Sequence, residues 1–201
     1  MSVQRLNKRA TSSISFYIRS TPFGPVALLW SVFDDQPKIV RVLLSKPDVS
    51  AKQVVKASFP DSITSSCPEV DVVADQIVAF LTGDDIRFSL NMTRLDLWSG
   101  FQQKVLRAEH GIPRGSVSTY QRIARYLGNA NGARAVGAAL ANNPFPIIIP
   151  CHRAIRSDGT LGGYQGGLKM KRTLLKMEGI DFDRTGRVVT NEFYYERTGR
   201  R

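Results

Sequence analysis

Cysteine is scarce in this chain: its 201 residues hold only Cys67 and Cys151, 84 positions apart. Two thiols so far apart give no disulfide framework, and with no CxxC pair they offer no clustered metal site. Histidine is equally rare, with only His110 and His152, and none in the first 100 residues. No apolar run reaches the roughly 18 residues of a membrane span, and the N-terminus lacks the apolar core of a secretory signal. An intracellular protein is expected, cytoplasmic, or nuclear in a eukaryote. There is no Gly-x-Gly-x-x-Gly and no Gly-Lys-Ser/Thr, so nucleotide cofactors find no support. Acidic residues run short in one half only. Residues 1–100 hold 11 Lys or Arg against 10 Asp or Glu, whereas residues 101–201 hold 17 against 7, and the whole chain carries +11. A neutral scaffold beside a basic half that meets a polyanion fits this asymmetry, with nucleic acid the first candidate and an anionic membrane the second.

The pattern predicts an α+β protein: a small N-terminal α/β domain over 1–92 (meander sheet plus helix), then a mainly helical domain over 93–201. Residues 1–12 read as a loose basic arm. Strands are expected at 13–19, 26–32 and 38–44, separated by Pro22-Phe23-Gly24-Pro25 and by Asp34-Asp35-Gln36-Pro37. Val70, Val73, Ile77, Phe80 and Leu81 fall at helical spacing, with Gly83 as a stop. Ile86–Leu90 is read as one more strand.

In the second half, 101–109 is an amphipathic helix. Ser118-Thr119 caps a helix over 120–127 that Gly128 closes, and a four-residue turn leads into a helix over 133–140. Two short helices joined this way are a helix-turn-helix signature. The second is built of small residues around one arginine. It suits close approach to another surface and suits tight core packing equally well, and the basic charge favours DNA. Five glycines (159, 162, 163, 166 and 167) crowd around Tyr164, as backbone does where it turns sharply or comes close to a ligand. A basic helix over 169–177 and a hairpin around 183–187 precede a basic tail.

The chemistry concentrates in Pro144-Phe-Pro-Ile-Ile-Ile-Pro-Cys-His-Arg153. Three prolines exclude a long helix there. Ile147-Ile148-Ile149 reads as a short buried strand that delivers Cys151 to the interior. A thiol beside an imidazole on a stiff backbone fits a placed sulfur nucleophile. Taken alone, it fits an inert buried cysteine about as well.

Ile149-Pro150-Cys151-His152-Arg153, Asn142-Asn143-Pro144, Ala133-Arg134-Ala135-Val136-Gly137, Gly115–Ala124, Gly163-Tyr164 with Gly166-Gly167, and Leu174–Gly179 together resemble the O6-alkylguanine-DNA alkyltransferases, the methylated-DNA–protein-cysteine methyltransferases. The likeness covers about residues 96–179. Ala154 stands where the family has valine. Before residue 96 the likeness is architectural and implies an RNase H-like sheet. The resemblance implies a DNA-repair protein that rotates O6-alkylguanine out of duplex DNA and takes the alkyl group onto Cys151 in one irreversible turnover.

It implies roles as follows. His152 takes the Cys151 proton through a water, Glu178 orients His152, Asn143 holds the turn, and Tyr120 hydrogen-bonds the leaving base. Tyr164 and Pro146 line the alkyl pocket. Arg134 fills the gap left in the duplex, with Ala133, Ala135 and Gly137 against the groove. Thr119, Gln121, Asn129 and Ser157 contact the DNA backbone. No cofactor and no metal are expected, although some relatives carry an N-terminal zinc site. The implied partner is double-stranded DNA carrying O6-alkylguanine; activity on O4-alkylthymine is left open, as is cooperative binding by a chain expected to be a monomer. Two rivals remain: a protein of this fold that flags lesions without reacting, and a helix-turn-helix regulator with a redox-sensing cysteine.

Overall fold

The computed structural model describes residues 13–190 and 193–195. The loose arm expected over 1–12 lies outside them, as do parts of the basic tail. The chain forms two compact units. The first comprises residues up to Ser99 together with Pro144–Ile148, and the second comprises Gly100–Asn143 and Ile149 onward.

In the first unit, β1 (Ser15–Arg19), β2 (Val26–Phe33) and β3 (Gln36–Leu44) form the expected meander. Asp34 and Asp35, with φ of 49° and 58°, make the two-residue hairpin between β2 and β3. Left-handed backbone at both positions matches the twist of the flanking strands. Seven of the eight β2 residues are buried. Side chains alternate between faces, so burial on that scale requires cover on both sides of the strand. β3 begins two residues earlier than the sequence pattern suggested and takes in Pro37. It lies at the sheet edge, where a missing N–H is tolerated.

The fourth strand is not Ile86–Leu90. It is β4 (Ile63–Thr64), parallel to β1, in the order β3-β2-β1-β4. The 86–90 segment has no ladder partner; instead Phe88 is buried, its ring centroid 5.8 Å from that of Phe80. Two helices accompany the sheet. α1 (Ala51–Ser58) begins at a capping box in which Ser50 and Gln53 satisfy each other's backbone N–H groups. α2 (Pro68–Thr82) buries Val70, Val73, Ile77, Phe80 and Leu81, the residues whose spacing predicted it.

The unit boundary falls at 99/100 rather than at 92/93. Thr93 bridges to Ile39, the Arg94 N–H bonds the Ile39 carbonyl at 2.9 Å, and Leu95, Leu97 and Trp98 are buried. The sequence also returns to this unit once: the Val42 N–H donates to the Pro144 carbonyl at 2.8 Å.

The second unit holds α3 (Gly100–His110), the short β5 (Ser118–Thr119), α4 (Tyr120–Tyr126) and α5 (Ala133–Ala141). After these come a 3₁₀ turn (Cys151–Arg153), β6 (Ala154–Ile155), α6 (Gly167–Met177) and the hairpin β7 (Asp181–Phe182)–β8 (Val188–Val189). β5 and β6 pair in parallel, so the Cys151–Arg153 turn runs directly into a strand fixed beside the start of α4. Val117, Ile155, Leu161, Leu175, Ile180 and Val188 form the core beneath, with Phe182 and Phe193 against it. α4 and α5 are the predicted helix pair. Thr119 accepts the Arg122 N–H at 3.1 Å as the N-cap of α4, and Gly128 closes the helix at φ 80°.

Candidate active site

Cys151 does not follow a strand. Ile147–Ile149 are buried as expected but lie in a tight turn in which Ile147 has φ 75°. A β-branched residue in the left-handed region is strained, and three prolines leave the backbone few alternatives. The Cys151 N–H then donates to the Ile149 carbonyl at 2.8 Å, and the Arg153 N–H to the Pro150 carbonyl at 2.8 Å, starting the 3₁₀ turn. Cys151 and His152 are thereby presented from one rigid corner, 5% and 0% exposed.

Asn143 fastens that corner to the end of α5. Its backbone N–H bonds the Leu140 carbonyl at 3.1 Å, and its Nδ2 donates to the Ile149 carbonyl at 3.0 Å. Its side chain also hydrogen-bonds the Cys151 sulfur. Burial nevertheless pushes the Cys151 thiol up to about 11, with Asn143 opposing. At neutral pH the sulfur rests as a thiol, and it can act as a nucleophile only where a base removes its proton.

A neutral imidazole adjoins Cys151 in sequence. His152 Nε2 lies 2.8 Å from Glu178 Oε1. Burial lowers the imidazole's proton affinity and Glu178 only partly restores it, so His152 is neutral. Burial alone would raise the Glu178 carboxyl, but bonds from His152 and Arg153 outweigh it and hold the group at about 2. An ionised carboxylate only accepts, so Nε2 carries the hydrogen and Nδ1 the basic lone pair. Glu178 occupies the C-cap of α6, with Gly179 at φ 84° turning the chain behind it.

Two groups that sequence reasoning passed over complete this arrangement. Arg153 clamps Glu178 through Nε (2.9 Å) and Nη2 (2.8 Å), and its Nη1 donates to the Ile112 carbonyl at 2.6 Å. Lys171, fully buried in α6, donates to the carbonyls of Ala154 (2.6 Å), Leu161 (2.5 Å) and Gly163 (3.4 Å). It thus ties the glycine-rich loop to β6. The signal for Arg153 was its place in the Cys-His-Arg run. For Lys171 there was none beyond a basic helix, which reads as a solvated face.

The aromatic residues frame the sulfur. The Tyr164 ring stands edge-on to His152, centroids 6.2 Å apart at 85°. Its hydroxyl is buried without a hydrogen-bond partner among the described residues. Burial raises the Tyr120 hydroxyl to about 12, with Glu109 and Cys151 adding to it. A methyl group at Gly162 would come within 2.6 Å of that hydroxyl, and Gly162 also has φ 68°. Here the glycine density has its reason: no other residue allows both the turn and the close approach. Gln165 donates to the Asn143 carbonyl at 2.6 Å, joining the same loop to the Asn143 corner. Pro146 is buried within the 144–148 segment of the first unit.

The residues implied for DNA divide. On α5, Arg134 and Ala135 are exposed, Ala133 and Gly137 half-buried, and a methyl at Gly137 would meet nothing within 4 Å. Asn129 and Ser157 are exposed on turns, and Gln121 donates to the Ala130 carbonyl in the turn between the helices. Thr119 is a correction. It is 4% exposed and its hydroxyl oxygen accepts the capping bond, so the structure makes it a helix cap rather than a surface contact. Among the described residues no group of three His, Cys, Asp or Glu side chains could hold a metal ion.

The model of the 6-O-methylguanine DNA methyltransferase DNA-binding domain matches residues 100–180. Over 164 residues the chain is 34% identical to the methylated-DNA–protein-cysteine methyltransferase of Methanosarcina acetivorans, covering 82% of this chain and 97% of that one. The chain belongs to this family. The methyltransferase of Methanothermobacter thermautotrophicus is 45% identical over 109 residues, a match spanning 54% of this chain and 61% of that relative. Among solved structures, the OGT protein of Mycobacterium tuberculosis in complex with DNA superposes with a TM-score of 0.65 at 30% identity, covering 82% of this chain and 92% of that one. In this family member the structure groups a buried thiol, a neutral imidazole and an ionised carboxylate, side chains whose chemistry suits a nucleophile, a base and an orienting group.

Proposed function

We propose that this chain is a single-turnover DNA-repair alkyltransferase. It accepts O6-alkylguanine rotated out of duplex DNA and keeps the alkyl group on Cys151. The observation that carries this reading is the chain from Asn143 through Cys151 and His152 to Glu178 and Arg153, every member buried and each held by another. Such an arrangement is built for one proton transfer and one nucleophilic attack.

The steps balance without a cofactor. His152 Nδ1 takes the thiol proton, through a bridging water where the reach requires one. The S–C bond forms as the C–O6 bond breaks in line, and the electron pair leaves on guanine. Tyr120 donates a proton to the departing base and regains one from His152. The net change is R–O6-guanine plus Cys-SH giving Cys-S-R plus guanine. The buried Tyr164 hydroxyl and the Gly162-Gly163 backbone are the groups we assign to the alkyl pocket. A base stacked in duplex cannot reach a buried sulfur, and its extrusion costs a few kcal/mol, least for a weakened pair. We assign Arg134, exposed on α5 among small residues, to the space the base leaves, with Gln121, Asn129 and Ser157 on the backbone. A lesion-binding protein of this fold that does not react would have no use for a base poised beside a thiol.

The test is mass spectrometry of the protein after incubation with O6-methylguanine duplex. One added methyl on the peptide containing Cys151 is expected. An unmodified peptide with the lesion intact would refute the reading.

A further inference from the structure

α3 buries Val105, Leu106 and Ala108 along one stripe, and Glu109 falls on the same stripe. Glu109 is 0% exposed, and neither carboxyl oxygen has a hydrogen-bond partner among the described residues. An ionised carboxylate left so is expensive, and the group holds its proton instead. The cations facing it are Lys171 from α6 and Arg153 from the Cys151 turn, and the Ala154 backbone N–H also favours its charged form. The titratable groups that feel its charge are Cys151, Tyr120 of α4, and Tyr195 near the C-terminal end. A buried carboxyl group whose charge the sulfur would feel is therefore carried by the helix that packs on the Cys151–Arg153 turn, and the proposed mechanism gives it no task.

We propose that Glu109 is a positioning residue for the alkyl transfer: it keeps its proton while Cys151 surrenders one, so that Lys171 and Arg153 exert their full positive field on the sulfur and the departing guanine, and its ionisation cancels that field. This rests on the reading of Cys151 as alkyl acceptor. At neutral pH Lys171 supplies part of the field, since three carbonyls accept from it, matching the three donors of an ammonium. Burial lowers Lys171 to about 8, with Cys151 and Glu109 opposing, so above that pH the guanidinium of Arg153 is the cation that remains. Burial, opposed by Lys171 and Arg153, raises Glu109 to about 8. It is therefore neutral at pH 7 and becomes charged a little above. Negative charge builds on the sulfur and then passes to guanine as S–C forms and C–O6 breaks. A carboxylate at Glu109 repels it at both stages.

The test is the pH profile of alkyl transfer to Cys151 from an O6-methylguanine duplex, using the full chain and Glu109→Gln. Glutamine has the shape of a protonated glutamate, so equal rates are expected near pH 6.5 and an advantage of about fivefold or more for the variant near pH 9. Glu109→Leu, which continues the apolar stripe, is expected to follow the same profile and serves if the glutamine variant does not fold. In the wild-type protein the rate should level off above about pH 8, as the Glu109 carboxyl ionises and Lys171 loses its proton together. The difference between wild type and Glu109→Gln isolates the part that belongs to the carboxyl. Superimposed profiles, a variant slower throughout, or a wild-type rate that climbs unbroken through this range would each overturn the proposal. Absence of transfer to Cys151 at every pH strikes instead at the reading of the site.

Discussion

At the scale of single residues, two buried glutamates pull stability in opposite directions as pH changes. Glu178 is held at about 2, below the roughly 4.3 of an unfolded glutamate. Its contribution is complete above that unfolded value and is lost as pH falls through 4 towards about 2. Glu109, raised to about 8, does the reverse: its contribution is complete below about 4.3 and is lost as pH rises through about 8. Melting curves across this range should therefore lose an acid limb in Glu178→Gln and an alkaline limb in Glu109→Gln. Glu178→Gln should also cost on the order of 3 kcal/mol at neutral pH, because Arg153 remains buried without its anion. Alkyl transfer should slow by about a hundredfold as His152 loses its orienting charge. Melting points and rates that match the wild type would mean that the His152–Glu178 contact orients nothing. Cys151, His152 and Glu178 were legible in the sequence because their motifs are specific. Arg153, Lys171 and Glu109 were not, since in a basic half every cation resembles a phosphate contact and every helix acid a solvated one. Only the fold turns these three inward.

At the scale of elements, α5 has one packed face and one exposed face, and the proposed function puts recognition on the exposed one. Val136, Ala139 and Leu140 hold it to the unit, while Arg134, Ala135 and Ala138 face outward. Arg134→Ala removes no buried contact, so the variant should fold with an unchanged melting point. It should react with free O6-benzylguanine at the wild-type rate and repair a duplex lesion at least about tenfold more slowly, because only the duplex requires a base held out of the stack. Equal loss on both substrates would move Arg134 from extrusion to folding or chemistry. Helices were the more readable elements here, since a 3.6-residue apolar period over two or three turns leaves little ambiguity. Short apolar runs misled: Ile86–Leu90 and Ile147–Ile149 have strand composition, but one packs as a loop and the other turns on a left-handed isoleucine. The two-residue β4 carries too little pattern to be found. α1 could have been found, because Ser50-x-x-Gln53 is a capping box written in the sequence.

For the whole molecule, the proposed function makes charge and single turnover set the behaviour. Residues 101–180 hold 12 basic against 3 acidic side chains, and Arg153 and Lys171 are spent internally on Glu178 and on backbone carbonyls. If roughly four of the rest neutralise phosphates, the logarithm of the affinity for undamaged duplex should fall with a slope of about −3.6 against the logarithm of salt. A flat titration would remove the electrostatic part of recognition. Under the proposed function the transfer changes the protein itself: a thioether is a poor electrophile, so the alkyl group should stay on Cys151 and product should stop at one equivalent. The added carbon enters a closed corner. Cys151 is 5% exposed, its neighbour Asn143 is 1% exposed, and Asn143 is bonded to the end of α5, to Ile149 and to Gln165. Alkylation also removes the S–H and weakens the Asn143–sulfur bond. Overpacking of this kind costs about 1–3 kcal/mol. In a chain of this size each kcal/mol lowers the midpoint by about 2–4 °C. The alkylated protein should therefore melt several degrees below the unreacted one, and amide exchange should quicken first at the end of α5 and through 142–151, where Asn143 transmits the displacement. Calorimetry and hydrogen exchange before and after stoichiometric methylation measure both. A midpoint that holds or rises would show that the corner had room for the alkyl group all along.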